Sequence, residues 1–201
     1  RYNPVGMAGA EAIGEELARQ GPFTHVYVPT GGGGLLCAVA RGLARSASDA
    51  EAAAPPRVVV AQPAGCAPVA RHVEGELEAP RVDGCTSVVS GLQLPDPPDG
   101  VLAAEAVRAS GGWGCSVTDD AAWAAQELLA RGDGVFVEPA SALAVAAILA
   151  DVASGRLTAA DRPVAVLTGS GLKDLRRFAA TSREPPLRIA DLRELLARSL
   201  A

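Results

Sequence analysis

The distribution of apolar and polar residues along the chain predicts short strands separated by helices. Three apolar runs rich in β-branched residues, at 24–29, 57–61 and 163–167, are predicted strands. The second run, RVVVA, is apolar throughout, which is typical of a strand buried on both faces of a parallel sheet. A weaker strand pattern covers 114–118, and a short apolar run covers 135–137.

Helical periodicity accounts for most of the chain between these strands. Apolar residues recur on one face of 7–20, and the Gly-Pro pair that follows is a stop signal. Two aspartates, Asp119 and Asp120, are placed to cap a later helix. The segment 46–56 is predicted to be a surface loop and 79–100 to be irregular. Further helices are predicted at 35–44, 66–73, 101–109, 121–131, 140–152, from Leu172 onward and at 191–200.

This order of elements predicts the fold class. Alternating strands and helices are typical of an α/β domain, in which a mostly parallel sheet carries helices on both faces. Ligands of such sheets bind beyond the carboxyl ends of the strands. The chain has 201 residues, of which 49% are hydrophobic and 3% aromatic, so we expect one such domain with an aliphatic core.

Composition and charge argue against some classes of binding partner and some cellular locations. The net charge is −5, and no basic patch with interleaved aromatic residues is present, which argues against a nucleic-acid partner. No apolar stretch is long enough to cross a bilayer, and the first residues do not resemble a signal peptide. We therefore expect a cytoplasmic protein with no membrane partner.

The four cysteines are Cys37, Cys66, Cys85 and Cys115, and they are widely spaced. The chain has no Cys-x-x-Cys pair and no neighbouring pair of histidines. This spacing argues against a zinc site and against a disulfide framework. We therefore expect four reduced thiols and no bound metal.

The most distinctive local motif is PTGGGGLL, in which Gly31, Gly32, Gly33 and Gly34 follow a predicted strand and open a predicted helix. Without side chains, the backbone N–H groups of the turn can converge on one point, and the helix adds its positive N-terminal end. The motif is neither a Walker loop nor the dinucleotide fingerprint. It predicts an anion site of phosphate size, and the alternative is a merely tight or flexible turn.

Two polar residues follow other apolar runs. Thr168, in LTGSGLKD, stands at the carboxyl end of a predicted strand, where its hydroxyl would face the same crevice as the glycine loop. Alternatively, Thr168 caps the next helix. Glu138, in GVFVEPASALA, precedes Pro139 and a helix. Its carboxylate is therefore either a partner of the helix dipole or a site residue.

In this order, PTGGGGLL, GVFVEPASALA and LTGSGLKD resemble the fold-type II pyridoxal-phosphate enzymes, the tryptophan synthase β-like superfamily. The glycine motif is similar to the family's loop for the cofactor phosphate. The leading hydroxyl residue of the last motif corresponds to the one that bonds the pyridine nitrogen, and the glutamate to one beside the cofactor ring. The resemblance thus implies pyridoxal 5′-phosphate, bound by Gly31, Gly32, Gly33, Gly34, Thr168 and Glu138.

The segments between these motifs look most like threonine synthases. The stretches CTSVVSGLQLPDPPDG and AVRASGGWGCSVTDDAAWAAQELLARGDG carry this likeness, as does the Thr-Gly-x-Gly-Leu-Lys-Asp form of the last motif. The resemblance implies a lyase that converts O-phosphohomoserine to threonine and phosphate. In such an enzyme the protein positions the substrate and tunes the cofactor electronically.

The resemblance covers about 2–177 and implies that another part of the protein completes the site. Family members begin with a half-chain that carries the Schiff-base lysine and a loop that grips the substrate carboxylate. We expect 1–201 to be a single incomplete domain that lacks this half, has no catalytic residue of its own and is inactive alone. Lys173, the only lysine, is expected not to be the Schiff-base lysine. The expected partners are a small amino-acid substrate, the missing half, and further copies in a homo-oligomer.

Two alternatives stay open. Within the same cofactor class, the chain would belong to a serine/threonine dehydratase or a diaminopropionate ammonia-lyase, in which GGGG loops are common. Outside that class, it would be a non-catalytic module that binds a phosphate-bearing ligand through its two loops. The first alternative is tested by whether the full-length protein acts on O-phosphohomoserine or on serine. The second is tested by whether the gene encodes a Schiff-base lysine upstream of this sequence.

Overall fold

A computed structural model describes residues 4–48 and 55–175. Four parallel strands form one sheet in the order β3-β2-β1-β4. They are β1 His25–Pro29, β2 Arg57–Pro63, β3 Gly114–Val117 and β4 Pro163–Ala165. The helices in this part of the chain are α1 Pro4–Gly9, α2 Glu11–Gln20, α3 Gly34–Ser48, α4 Pro68–Val73, α5 Gly100–Ala109, α6 Asp119–Gly132 and α7 Pro139–Ala153.

Helices cover both faces of this sheet. Alternate residues of a strand face opposite sides, so Val26 and Val28 of β1 pack with Leu36 of α3, in a core that also includes apolar residues of α4 and α5. Tyr27 packs on the other face with Leu143 of α7, in a core shared with α6. The expected α/β fold, a parallel sheet between two helical layers, is confirmed.

Several element boundaries differ from the prediction. The helix predicted at 7–20 is divided at Ala10 into α1 and α2, and α3 extends to Ser48, into the predicted surface loop. The helix predicted from Cys66 begins at Pro68, because Pro is suited to the first helical position, and a 3₁₀ turn, Ala64–Cys66, precedes it. After β4 the structure describes a 3₁₀ turn, Gly171–Lys173, where a helix was predicted. The helix predicted at 191–200 lies outside the described residues.

Thr118, rather than either aspartate, caps α6. Its hydroxyl oxygen accepts the N–H of Ala121 at 3.2 Å. The helix begins at Asp119, two residues earlier than predicted, so both Asp119 and Asp120 lie in its first turn. The predicted capping role of the aspartates is therefore wrong. Asp119 instead accepts the hydroxyl of Ser87 at 2.8 Å.

Cys66 and Cys85 form a disulfide, with their Cα atoms 4.7 Å apart. The expectation of four reduced thiols is therefore wrong for this pair, because the turn after β2 brings together two positions that sequence spacing does not connect. Cys37 and Cys115 are free and buried. Burial raises the pKa of both thiols, that of Cys115 to about 12.

Two further features concern only the described ranges, 4–48 and 55–175. Within them, no helix combines the length and apolar character needed to cross a membrane. In the same ranges, no group of three or more His, Cys, Asp or Glu side chains is arranged to hold a metal ion.

Candidate functional site

The glycine loop and the Thr168 loop leave neighbouring strands at the same edge of the sheet. Strand β1 pairs in parallel with β4, with Tyr27 opposite Ala165. The N–H of Val166 then donates to the carbonyl of Tyr27 at 3.0 Å. Because parallel neighbours end at one edge, the loop after β1 and the loop after β4 lie side by side. The structure thus brings together the two motifs that the sequence placed at this edge.

The glycine loop presents backbone donors that have no partner among residues 4–48 and 55–175. The carbonyl of Gly33 accepts the N–H of Cys37 at 3.0 Å, and that of Gly32 accepts the N–H of Asp99 at 2.9 Å. By contrast, the N–H groups of the loop glycines donate to no acceptor within the described part of the chain. These donors stand at the N-terminus of the 15-residue helix α3, which adds a partial positive charge. This donor set suits a phosphate dianion.

Close packing gives a second reason for the glycines. A Cβ at Gly31 would stand 2.7 Å from the carbonyl oxygen of Gly91, and one at Gly33 would stand 2.7 Å from that of Asp99. Gly33 also has a φ of +96°, which favours glycine. The segment 91–99, which the sequence marked only as irregular, therefore lies directly against the loop.

An open cavity of about 500 Å³ lies where this segment faces the loop. Its walls include Gly32, Leu94 and Pro98. This volume is within the range of small-molecule sites. Asp99 also lines the cavity, and a Cβ at Gly34 would be 3.2 Å from its carboxylate. The N-terminus of α3 thus already faces one anionic group of the protein.

Thr168 is exposed at the end of β4, and Ser141 holds its loop. The Oγ of Ser141, a fully buried residue, accepts the N–H of Thr168 at 3.1 Å and that of Gly169 at 2.9 Å. It also lies 3.2 Å from the hydroxyl oxygen of Thr168. Sequence reasoning missed Ser141, although a serine inside the apolar EPASALA run was a visible signal.

Glu138 lies against the same loop. A Cβ at Gly169 would overlap its Oε1, so only glycine leaves room for this carboxylate. Glu138 makes no side-chain cap to α7, although it directly precedes that helix. The Nζ of Lys173 lies 3.7 Å from Glu138 Oε2, and the Lys173 side chain is 64% exposed. The structure therefore brings Glu138 and Thr168 to one loop and leaves Lys173 at the surface.

Gln62 is a second residue that sequence reasoning missed. It is fully buried at the end of β2, and its Nε2 donates to the carbonyl of Thr30 at 3.0 Å. Its Oε1 accepts the N–H groups of Val69 and Ala70, at 2.8 and 2.9 Å. Gln62 thereby ties the start of the glycine loop to α4. The signal was an amide at the end of an otherwise apolar strand.

Comparison with known proteins places this chain in a family. The family model described as "Pyridoxal-phosphate dependent enzyme" matches residues 1–169. A threonine synthase of Mycobacterium leprae is 33% identical over 86% of this chain and 46% of its own length. A threonine synthase of Methanosarcina acetivorans is 30% identical over 91% of this chain and 46% of its own. A crystal structure of T.th. threonine deaminase superposes with a TM-score of 0.66 and 25% identity, over 86% of this chain and 60% of that one.

The chain belongs to the pyridoxal-phosphate dependent enzyme family, whose cofactor is pyridoxal 5′-phosphate. It spans about half the length of the curated relatives that it matches. The resemblance seen in the three sequence motifs is thereby confirmed at the level of family, fold and cofactor.

Proposed function

We propose that this chain is the cofactor-anchoring part of a lyase that makes threonine and phosphate from O-phosphohomoserine. The observation that carries the proposal is the similarity to threonine synthases from a bacterium and an archaeon, each over at least 86% of the chain. As part of the proposal, the protein acts in threonine biosynthesis in the cytoplasm. The rest of the site, including the lysine that binds the cofactor, comes from outside this chain.

Each end of the cofactor has its own ligands in this proposal. The backbone N–H groups of Gly31, Gly32, Gly33 and Gly34 bind the phosphate. At the other end, the Thr168 hydroxyl donates a hydrogen bond to the ring nitrogen. When bound, the cofactor supplies an electron sink for charge that develops at the substrate carbon. A neutral hydroxyl donor leaves the ring nitrogen uncharged, which makes the cofactor a weaker electron sink. A weaker electron sink suits elimination and replacement reactions.

Glu138 has a positioning role in the proposal. Its backbone N–H donates to the carbonyl of Gly169 at 2.9 Å, and its carboxylate covers the same residue. The side chain therefore lies next to the loop that would face the ring. A Glu138→Gln variant should change the absorption spectrum of the bound cofactor. If Glu138→Gln lowers stability but leaves the cofactor spectrum unchanged, Glu138 has only a structural role.

A second candidate function is deamination of serine or threonine. The threonine deaminase with a TM-score of 0.66 supports it, because at 25% identity the likeness extends beyond the fold. The two reactions differ in the leaving group and in the products. Threonine synthesis releases phosphate, whereas deamination releases ammonia and a keto acid.

The test is the product pattern of the purified full-length protein. With O-phosphohomoserine, we expect phosphate and threonine in equal amounts, and with serine or threonine we expect little ammonia. The reverse pattern would replace the proposal with the deaminase function. Stoichiometric cofactor binding without turnover of any of the three substrates would indicate a non-catalytic binding module. A Thr168→Val variant, which removes the hydroxyl at nearly constant volume, should reduce turnover more than Ser170→Ala.

A further inference from the structure

The buried hydroxyl of Ser141 is placed to control the hydrogen of the Thr168 hydroxyl. Ser141 is the third residue of α7 and has no exposed surface. Its oxygen contacts three atoms of one loop: the N–H of Thr168 at 3.1 Å, the N–H of Gly169 at 2.9 Å and the Oγ1 of Thr168 at 3.2 Å. A serine that served only α7 would bond to its own helix instead.

Counting donors and acceptors fixes the direction of the third contact. A hydroxyl has one hydrogen to donate and two lone pairs that accept. At Ser141 both lone pairs are used by backbone N–H groups, which can only donate. The remaining hydrogen must therefore point to an acceptor. Among the described residues, the only acceptor in range is the Oγ1 of Thr168. Ser141 donates, and Thr168 accepts.

The consequence for Thr168 is that its own hydrogen points away from Ser141. Thr168 is exposed at the carboxyl edge of the sheet, so this hydrogen is accessible from outside the protein. No acceptor for it lies within the described residues. The loop thus presents a directed O–H donor to a ligand bound against Thr168. Such a donor matches an aromatic nitrogen with a free lone pair and does not match a protonated one.

We propose that Ser141 is a positioning residue that orients the Thr168 hydroxyl as a donor, so that the site selects the cofactor with an unprotonated ring nitrogen. This inference rests on the proposed role of Thr168 at that nitrogen. Ser141 acts through Thr168 and does not touch the cofactor.

Ser170 offers a matched control on the same loop. Its hydroxyl oxygen accepts the N–H of Leu172 at 3.3 Å, within its own turn, and it has no bond to Ser141 or Thr168. Ser170→Ala therefore removes one hydroxyl of this loop without disturbing the proposed pair. Ser141→Thr keeps a hydroxyl at the buried position and is the conservative replacement.

The experiment uses the full-length protein loaded with pyridoxal 5′-phosphate labelled with ¹⁵N in the ring. We expect the ¹⁵N chemical shift of an unprotonated ring nitrogen in the wild-type protein. In Ser141→Ala the shift should move toward the protonated value at low pH, and the cofactor should bind roughly threefold to tenfold less tightly, the effect of one hydrogen bond. Ser141→Thr should restore the wild-type shift, and Ser170→Ala should leave it unchanged.

The outcomes separate this inference from the proposed function. A protonated ring nitrogen in the wild-type protein overturns the inference, whether or not Ser141→Ala folds. If Thr168→Val changes the shift and a folded Ser141→Ala does not, the role of Ser141 is overturned while that of Thr168 stands. If Thr168→Val leaves the shift unchanged, the proposed role of Thr168 fails and this inference fails with it, while the product pattern still decides the reaction. If no cofactor binds to the full-length protein, the proposed function itself fails.

Discussion

The glycines of the glycine loop differ in how strongly their positions exclude a side chain. At Gly33 the backbone has a φ of +96° and a Cβ would stand 2.7 Å from the Asp99 carbonyl oxygen. At Gly32 the nearest atoms to a Cβ are those of Pro98 at 3.6 Å, an ordinary contact. A Gly-to-Ala change therefore introduces backbone strain and a steric clash at Gly33, but only added volume at Gly32.

We predict that Gly33→Ala lowers the free energy of unfolding by about 2 kcal/mol or more, because both the backbone conformation and the space oppose a side chain. Gly32→Ala should change the free energy of unfolding by about 0.5 kcal/mol or less. Urea denaturation of the two variants and the wild type checks this prediction. Equal losses for the two variants would show that the loop does not have this conformation.

His25 is predicted to make stability depend on pH. It is buried, and its Nδ1 lies 2.8 Å from the Thr24 hydroxyl oxygen. Burial lowers the pKa of His25 below 6.5, an effect larger than the opposing attraction of Asp161. The native state then binds fewer protons than the unfolded state between the lowered pKa and 6.5. Stability should therefore fall as pH decreases through that window, by at most about 1.4 kcal/mol per pH unit.

Thermal melting between pH 5 and 8 measures this effect. A His25→Gln variant should lose the decline below pH 6.5 that the wild type shows. His72→Gln, which changes the other histidine, should keep it. If His25→Gln and the wild type show the same decline, groups other than His25 cause it.

At the scale of elements, the segment 85–99 is fixed in place although it contains neither a helix nor a strand. The disulfide joins Cys85 to Cys66 at the carboxyl end of β2. Asp119 accepts the N–H of Val88 at 2.7 Å. The N–H of Asp99 donates to the glycine loop at 2.9 Å. These attachments hold the segment as one wall of the candidate site.

We predict that the double variant Cys66→Ser/Cys85→Ser loses roughly 3 kcal/mol of unfolding free energy, the chain-entropy value for a loop of this length. The two cysteines are 19 positions apart. Because the segment packs on the glycine loop, cofactor affinity should also fall. Dithiothreitol should lower the melting temperature of the wild type and leave that of the double variant unchanged. Four free thiols in the unreduced, denatured wild type would contradict the pairing.

Sequence patterns predicted the strands and helices that are specified by neighbouring residues in the chain. Apolar runs marked the strands, and their alternation with helices fixed the parallel sheet and the edge where the glycine loop and Thr168 meet. The segment 79–100 lacks a period, because its contacts depend on polar side chains such as Ser87 and on residues distant in the chain. Ser141 and Gln62 were missed for the same reason: their partners are set by tertiary packing and not by spacing.

At the scale of the whole molecule, Lys173 is the only lysine in the chain, and its placement bears on whether the chain can hold the cofactor covalently. Its side chain is 64% exposed and lies 3.7 Å from a Glu138 carboxylate oxygen. Nucleophilic lysines are normally activated by burial or by a neighbouring cation, and Lys173 has an anionic neighbour.

We predict that the isolated chain, incubated with pyridoxal 5′-phosphate and reduced with borohydride, carries no stoichiometric label on Lys173. Peptide mapping by mass spectrometry checks the result. Lys173→Arg leaves a chain without any lysine and so reports labelling of the amino terminus alone. Stoichiometric label on Lys173, together with turnover of an amino-acid substrate, would show that the chain is an enzyme by itself.

The pairing of β1 with β4 joins parts of the chain that are synthesised far apart in time. Thr24 and Arg162, at the starts of these strands, are in contact across 138 residues. During synthesis the glycine loop is complete long before Thr168 exists, and closing so long a loop is slow. A ligand that contacts both loops binds only after β4 has paired with β1, and it then holds the two strands together. A cofactor that contacts both loops would therefore raise the free energy of unfolding of the finished sheet as its free concentration rises, by mass action on the folded state.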